Sequence, residues 1–230
     1  MNFDFTGWTL VFDLDGTLVE TAPDLHAALN HTLAYKGLGA VSLATIRMMI
    51  GHGAKAMIRK GLAYHNVPID SDEIERDLWP VFLEHYAANC TRLSRPFQSS
   101  TTCLADLRSA GATLAVCTNK AQDLAAAVLA GLALDHHFSA LVGGDTLPVK
   151  KPNGDHILET IVRAGGNTNQ AIMVGDSQTD EKAARNAGLP FVFVSFGYGT
   201  LSGQSYECLK SIDHWRDMQQ ALSKLAANRL

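Results

Sequence analysis

The chain has 230 residues, 47% of them hydrophobic, and its 19 basic and 23 acidic side chains give a formal net charge of -4. That is enough apolar material for one large domain or two unequal ones, while the scattered Lys and Arg form no basic face for a nucleic acid backbone. No stretch reaches the roughly 18 consecutive apolar residues of a membrane span, the start Met1-Asn2-Phe3-Asp4 lacks the blocks of a signal peptide, and Cys90, Cys103, Cys117 and Cys208 show no C-x-x-C spacing. The expectation is a cytoplasmic chain with reduced, mostly buried thiols and without nucleic acid or membrane as partner.

In chain order, residues 9–12 read as a short apolar strand that runs into Asp13-Leu14-Asp15-Gly16-Thr17-Leu18. Alternation sends Leu14 one way and both aspartates the other, and Gly16 supplies the backbone freedom for a sharp exit turn. Two carboxylates this close repel unless a cation or a proton compensates. The pair therefore suggests a metal-held nucleophile beside a carboxylic acid able to donate a proton. From about residue 21 to 95 the periodicity is helical throughout (24–36, 42–50, 54–64, 71–89), with no strand. An inserted helical module there would stand over the carboxyl end of the sheet, where open α/β folds bind ligands.

Past residue 95, apolar runs at 113–117, 140–143, 171–175 and 191–195 alternate with helix-length segments. With residues 9–12 they predict a five-stranded parallel sheet covered on both faces, a doubly wound Rossmann-like α/β core. Ser99 or Ser100 and Gly111 bracket one helix, and Ser177 and Gly188 bracket another, as caps do. Residues 201–209 read as loop and 213–226 as a closing helix. The expected division is an α/β core of residues 1–20 and 96–230 and a helical cap of residues 21–95.

Four strand ends carry polar groups. Besides Asp13 and Asp15, the second core strand leads into Thr118-Asn119-Lys120, a hydroxyl and backbone amides suited to an oxyanion. The third is followed by Lys150-Lys151-Pro152, where an ammonium would neutralise a tetrahedral anion. The fourth ends in Asp176, with Asp180 four residues on, and these carboxylates with Asp13 are hard ligands suited to magnesium.

These motifs, in this order, resemble the haloacid dehalogenase superfamily: Asp-x-Asp-Gly-Thr, then a Thr or Ser after the second strand, then Lys, then an acidic pair. The resemblance covers nearly the whole chain and is closest to the phosphoglycolate phosphatase branch, through Ala22-Pro23-Asp24-Leu25, Ile50-Gly51-His52-Gly53, Cys117-Thr118-Asn119-Lys120, Gly143-Gly144-Asp145-Thr146 and Phe196-Gly197-Tyr198-Gly199. It implies Asp13 as nucleophile, Asp15 as general acid and then base, and Mg2+ held by the Asp13 side chain, the Asp15 carbonyl and Asp176. Thr118, Asn119 and Lys151 would grip the phosphoryl group. Lys151 matches the motif lysine because it directly precedes Pro152, though Lys150 is adjacent. Asp180 would act from behind, orienting a metal-bound water or Lys151.

In the helical segment, His52 and Lys55 are candidates to meet a substrate carboxylate, while Arg59 reads as part of a solvated face. Departures from the branch pattern are Asn153-Gly154-Asp155 where a second proline is common, Pro96-Phe97 where Pro-Gly is usual, and Glu20-Thr21 for Asp-Ser. The implied activity is hydrolysis of a small phosphomonoester, 2-phosphoglycolate first, through an aspartyl phosphate, by a monomer or homodimer. Sugar phosphates, pyrophosphate, a phosphonatase with Lys55 as Schiff base and a phosphomutase are alternatives. A phospho-accepting receiver domain is the contrasting class, disfavoured by chain length, by the helical insert and because a receiver's phosphorylated Asp is expected after the third strand and not the first.

Overall fold

The computed structural model describes residues 4–201 and 209–227. The chain opens with β1 (Thr9–Phe12) and a two-residue strand β2 (Val19–Glu20). It then enters the helices α1 (Ala22–Tyr35), α2 (Leu43–Arg47), α3 (Ala54–Tyr64), α4 (Ser71–Glu73) and α5 (Trp79–Asn89), and returns through β3 (Arg95–Pro96). β2 and β3 pair antiparallel as a narrow ribbon at the point where the chain leaves and rejoins the sheet, a pairing absent from the sequence reading because two residues carry no periodicity. Asp24 ties the two ends together. One of its oxygens accepts the Ser94 N–H at 2.7 Å and the Ser94 hydroxyl at 2.6 Å.

The helix expected over 71–89 is broken by a π-helical segment, Ile74–Leu78, before α5 begins. Pro80 lacks the N–H that the Arg76 carbonyl would accept, which loosens the turn just ahead of it. Within the insertion, α1 packs against α5, α3 and α2. Leu25, Leu29, Met57 and Phe82 are buried there in the same apolar cluster as Phe12, Leu14 and Leu18 of the sheet side, so one hydrophobic core runs through both.

After β3 come α6 (Ser100–Ser109), β4 (Thr113–Cys117), α7 (Gln122–Gly131), β5 (Ala140–Val142), α8 (Gly154–Arg163), β6 (Ala171–Gly175), α9 (Gln178–Asn186) and β7 (Phe191–Val194). A further strand, β8 (Leu209–Ile212), precedes a 3₁₀ turn and α10 (Met218–Ala227). The sheet order is β5-β4-β1-β6-β7-β8 and every pairing in it is parallel. The sheet thus has six strands where the sequence reading expects five. β8 is Leu-Lys-Ser-Ile at an edge with only Ile212 buried, too polar to stand out. Its first residue falls inside the expected loop at 201–209, the middle of which, like Cys208, lies outside the described residues.

Strand side chains alternate between two covered faces. Leu10, Phe12, Ile172 and Val174 join the larger cluster, while Val11, Ala171 and Met173 join a second cluster under α8 and α9. That is why these strands read as unbroken apolar runs. Of the expected caps, Ser177 forms a full capping box with Asp180. Ser99 marks the start of α6 through a left-handed backbone (φ 67) and makes no side-chain cap bond. Asn153 caps α8 by accepting the Asp155 N–H at 2.8 Å, and Gly154 is required because a Cβ there would lie 2.6 Å from the Ala187 nitrogen. The departure from proline in this loop is therefore a packing feature. Cys90, Cys103 and Cys117 are free and buried, and no described helix is long and apolar enough to cross a membrane.

Candidate active site

The chain leaves β1 toward β4 and β5 on one side, then crosses to β6 and continues toward β7 on the other. A crevice must open where these directions diverge, at the carboxyl ends of β1 and β6. Asp13 directly follows β1, its N–H donating to the Val174 carbonyl of β6 at 2.9 Å, and Asp176 directly follows β6. Two acidic residues far apart in sequence are thus adjacent by topology. β1 ends at Phe12, so Asp13 and Asp15 reach their common side through the loop and its bridge from Asp15 to Val19, not through strand alternation.

Asp13, Asp176 and Asp180 each offer a carboxylate oxygen within 4.8 Å of the others, and all three are buried. Lys151 lies among them at 3% exposure, its Nζ 2.9 Å from Asp13 Oδ1 and 2.7 Å from Asp180 Oδ1. The other oxygen of Asp180 accepts the Ser177 N–H at 3.1 Å and its hydroxyl at 2.5 Å, so the α9 capping box also holds the carboxylate that steadies Lys151. Asp176 Oδ2 accepts the Tyr198 N–H at 2.6 Å. Gly16 (φ 85) and Gly197 make room for Asp176, since a Cβ on either would come within 2.3 Å of its side chain.

Burial pushes the Asp13 carboxyl up to about 6 against the pull of Lys151, with Asp180 adding to the rise. Asp176 is pushed well above the ordinary carboxylate range by burial and then by Asp180 and Asp13. Burial works against the Lys151 ammonium as well, but Asp13 and Asp180 outweigh it and hold its pKa above the usual lysine value. Three buried carboxylates face one ammonium. Hard oxygen donors with a deficit of positive charge form a site that fits a hard divalent cation.

Asp15 is held apart from this cluster. Its Oδ1 accepts the Thr21 hydroxyl at 2.7 Å, and its two oxygens receive Lys120 Nζ at 3.0 and 3.1 Å. Lys120 also lies over the Tyr86 ring of α5, 4.5 Å from the centroid. Burial disfavours this ammonium, yet Asp15 and Tyr86 raise its pKa above the ordinary value. Thr118 is 2% exposed, with its N–H on the Val142 carbonyl at 3.0 Å. The Asn119 side-chain amide donates to the Lys151 carbonyl at 3.0 Å. Lys150 is exposed at the rim, so of the two lysines only Lys151 meets Asp13.

A cavity of about 400 Å³ opens between core and insertion, lined by Asp13, Asp15, Thr118, Asn119 and Lys120 below and by His52 and Lys55 above. Gly53 brings the insertion close to the core, where an added Cβ would lie 3.3 Å from the Asn119 carbonyl. Lys55 is paired with Glu75 at 2.5 Å and lies 5.3 Å over the Trp79 ring. Arg59, read as solvated, also lines this cavity. The sequence reading overlooks Lys120, Thr21 and Tyr198 as contributors. Lys120 and Tyr198 stand inside motifs already noted, but nothing in the sequence says that they reach Asp15 and Asp176.

The family model for haloacid dehalogenase-like hydrolases matches residues 10–194. A phosphoglycolate phosphatase of Caulobacter vibrioides is 44% identical over 195 residues, covering 85% of this chain and 82% of that one. One of Mesorhizobium japonicum is 42% identical over 221 residues, 96% and 95% of the two chains. Among solved structures, a predicted phosphoglycolate phosphatase of Haemophilus somnus 129PT superposes with a TM-score of 0.81 at 29% identity, over 94% and 97% of the chains. The chain belongs to the haloacid dehalogenase-like hydrolase family. It is an enzyme, of the family's phosphatase kind.

Proposed function

We propose that this chain hydrolyses the phosphomonoester of a small metabolite, 2-phosphoglycolate first among candidates, with Mg2+ as cofactor and through an aspartyl phosphate. The observation that carries the reading is the convergence of Asp13, Lys151, Asp176 and Asp180 at one crevice, with Asp15 and Thr118 facing the same cavity. The relatives named phosphoglycolate phosphatase, alignable over most of both chains, support the substrate.

Asp13, Asp176 and the main-chain carbonyl of Asp15 would hold the magnesium, which when bound neutralises charge on the phosphoryl oxygens. Asp13 attacks phosphorus and carries the phosphoryl group, splitting one slow displacement into two. Asp15 donates a proton to the departing ester oxygen and later takes one from the water that attacks the phosphorus of the aspartyl phosphate. Lys151 neutralises Asp13 and the transferred group together, while Thr118 and Asn119 fix its orientation. Residues 21–95 serve as a cap, with His52 and Lys55 facing the bound substrate across the cavity. The enzyme acts in the cytoplasm, as monomer or homodimer. The three free described thiols fit a reducing compartment.

The ion pair of Lys55 with Glu75 speaks against a Schiff-base role for this lysine and so against a phosphonatase. A panel of phosphorylated metabolites, ranked by kcat/KM with magnesium and with chelator, tests the proposal. The expected result is a preference for 2-phosphoglycolate that chelation abolishes. Equal rates in chelator, or a sugar phosphate or pyrophosphate at the top of the ranking, would contradict it.

A further inference from the structure

We propose that Lys120 is the specificity-determining residue that takes the carboxylate of the substrate, sharing its ammonium between that carboxylate and Asp15. This rests on the reading of 2-phosphoglycolate as substrate. A single methylene separates the ester oxygen of that molecule from its carboxylate. With Asp15 within hydrogen-bond reach of the ester oxygen, as proton donation requires, the carboxylate must find its counter-charge immediately beside Asp15.

Among the described residues, Lys120 is the one cation paired with Asp15, its Nζ 3.0 and 3.1 Å from the two carboxylate oxygens. It lines the cavity, yet its side chain is only 5% exposed. In so little water a charge-assisted contact is strong. An ammonium carries three donors, and engagement with one carboxylate leaves donor capacity on the cavity side. The Tyr86 ring backs the ammonium from the insertion, 4.5 Å from Nζ to centroid, and the cation–π attraction helps to hold the charge in place.

The other cations near the site are less suited to so short a substrate. Lys151 is committed to Asp13 and Asp180. Lys55 is committed to Glu75. Lys150 is at the exposed rim. His52 lies on the insertion's side, where burial and the nearby Lys60 and Lys150 disfavour its charged form. Arg59 lines the cavity from α3 of the insertion, whereas Lys120, among the described residues, is the cation paired with Asp15, the group that must touch the ester oxygen.

The test compares kcat/KM for 2-phosphoglycolate and for 2-hydroxyethyl phosphate, which replaces the carboxylate with a neutral alcohol, in wild type and Lys120→Met. If Lys120 takes the carboxylate, the preference for 2-phosphoglycolate falls by about 10- to 100-fold in the variant, mainly through KM. Lys120→Arg, which keeps the charge, recovers part of it. Where Lys120→Met does not purify as a folded chain, Lys120→Gln gives the same reading, because its amide still donates to Asp15 without a charge. An equal loss on both substrates would mean that Lys120 only positions Asp15 and would overturn the proposal. Failure of the wild type to turn over 2-phosphoglycolate would instead overturn the substrate reading, and this proposal with it.

Discussion

Lys151→Met removes one positive charge while keeping a side chain of similar length, so it isolates what the ammonium does. In the native site that ammonium is 3% exposed and lies 2.9 Å from Asp13 and 2.7 Å from Asp180. Without it, three carboxylates with oxygens within 4.8 Å of one another are left buried with no ion-pair partner among the described residues. Deleting one partner of a buried ion pair costs about 3–5 kcal/mol. For a chain of this size that corresponds to a fall in Tm of roughly 6–20 °C. Thermal unfolding in chelator at neutral pH, followed by circular dichroism, measures it. Adding Asp13→Asn to the variant restores part of the loss, because one of the stranded charges is gone, and the double-mutant cycle reports the coupling directly. A loss below about 1 kcal/mol, the range of exposed pairs, would refute the view that Lys151 neutralises a buried acidic cluster.

Asp13→Asn is expected to lower phosphate release by a factor on the order of 10⁴ or more while the circular dichroism spectrum stays native, since the amide has nearly the same shape and no nucleophilic oxygen. The stabilisation given by magnesium, read as the difference in Tm with and without chelator, is expected to grow as pH rises from about 4 through about 6. With Asp13 raised to about 6 in the metal-free fold, the folded chain binds more protons than the unfolded chain across that window, so protons compete with the metal. A pH-independent difference would contradict this. His156 acts in the opposite sense: burial lowers its pKa to about 4 even though its ring meets the Gly143 carbonyl at 3.0 Å. There the unfolded chain binds the extra proton, and stability from this residue rises with pH between about 4 and 6.5. The ceiling is about 3 kcal/mol, and His156→Gln should flatten that part of the profile. Tyr198→Phe leaves the Thr21 and Ala22 N–H groups, now 2.7 and 3.0 Å from the hydroxyl, without their acceptor. A loss of about 1–3 kcal/mol is expected by urea unfolding.

The parallel core was legible because each central strand is buried on both faces, which turns a strand into an apolar run such as Ala171–Gly175. Ser177 and Gly188 announced α9 because they bracket it as caps do, and the structure adds Asp180 as the acid of a capping box. The residue types near the strand ends pointed to the site, since Asp13, Thr118 and Asp176 each directly follow an apolar run and Lys151 lies in the loop between β5 and α8. What stayed hidden depends on which strands are neighbours. Lys120 follows β4 and Asp15 follows β1, and only the pairing of those strands lets an ammonium cross to the acid. Tyr198 reaches Asp176 through a backbone N–H, which no side-chain pattern can signal. β8 was missed because Lys210 and Ser211 interrupt its apolar character at an edge where neither side chain needs burial.

Acid quench during steady-state turnover of 2-phosphoglycolate labelled with radioactive phosphorus, followed by peptide mapping, tests the central claim most directly. The account predicts label on the peptide carrying Asp13, formed at a rate no slower than kcat and absent from Asp13→Asn. Label on any other residue, or turnover by Asp13→Asn at the wild-type rate, would contradict it.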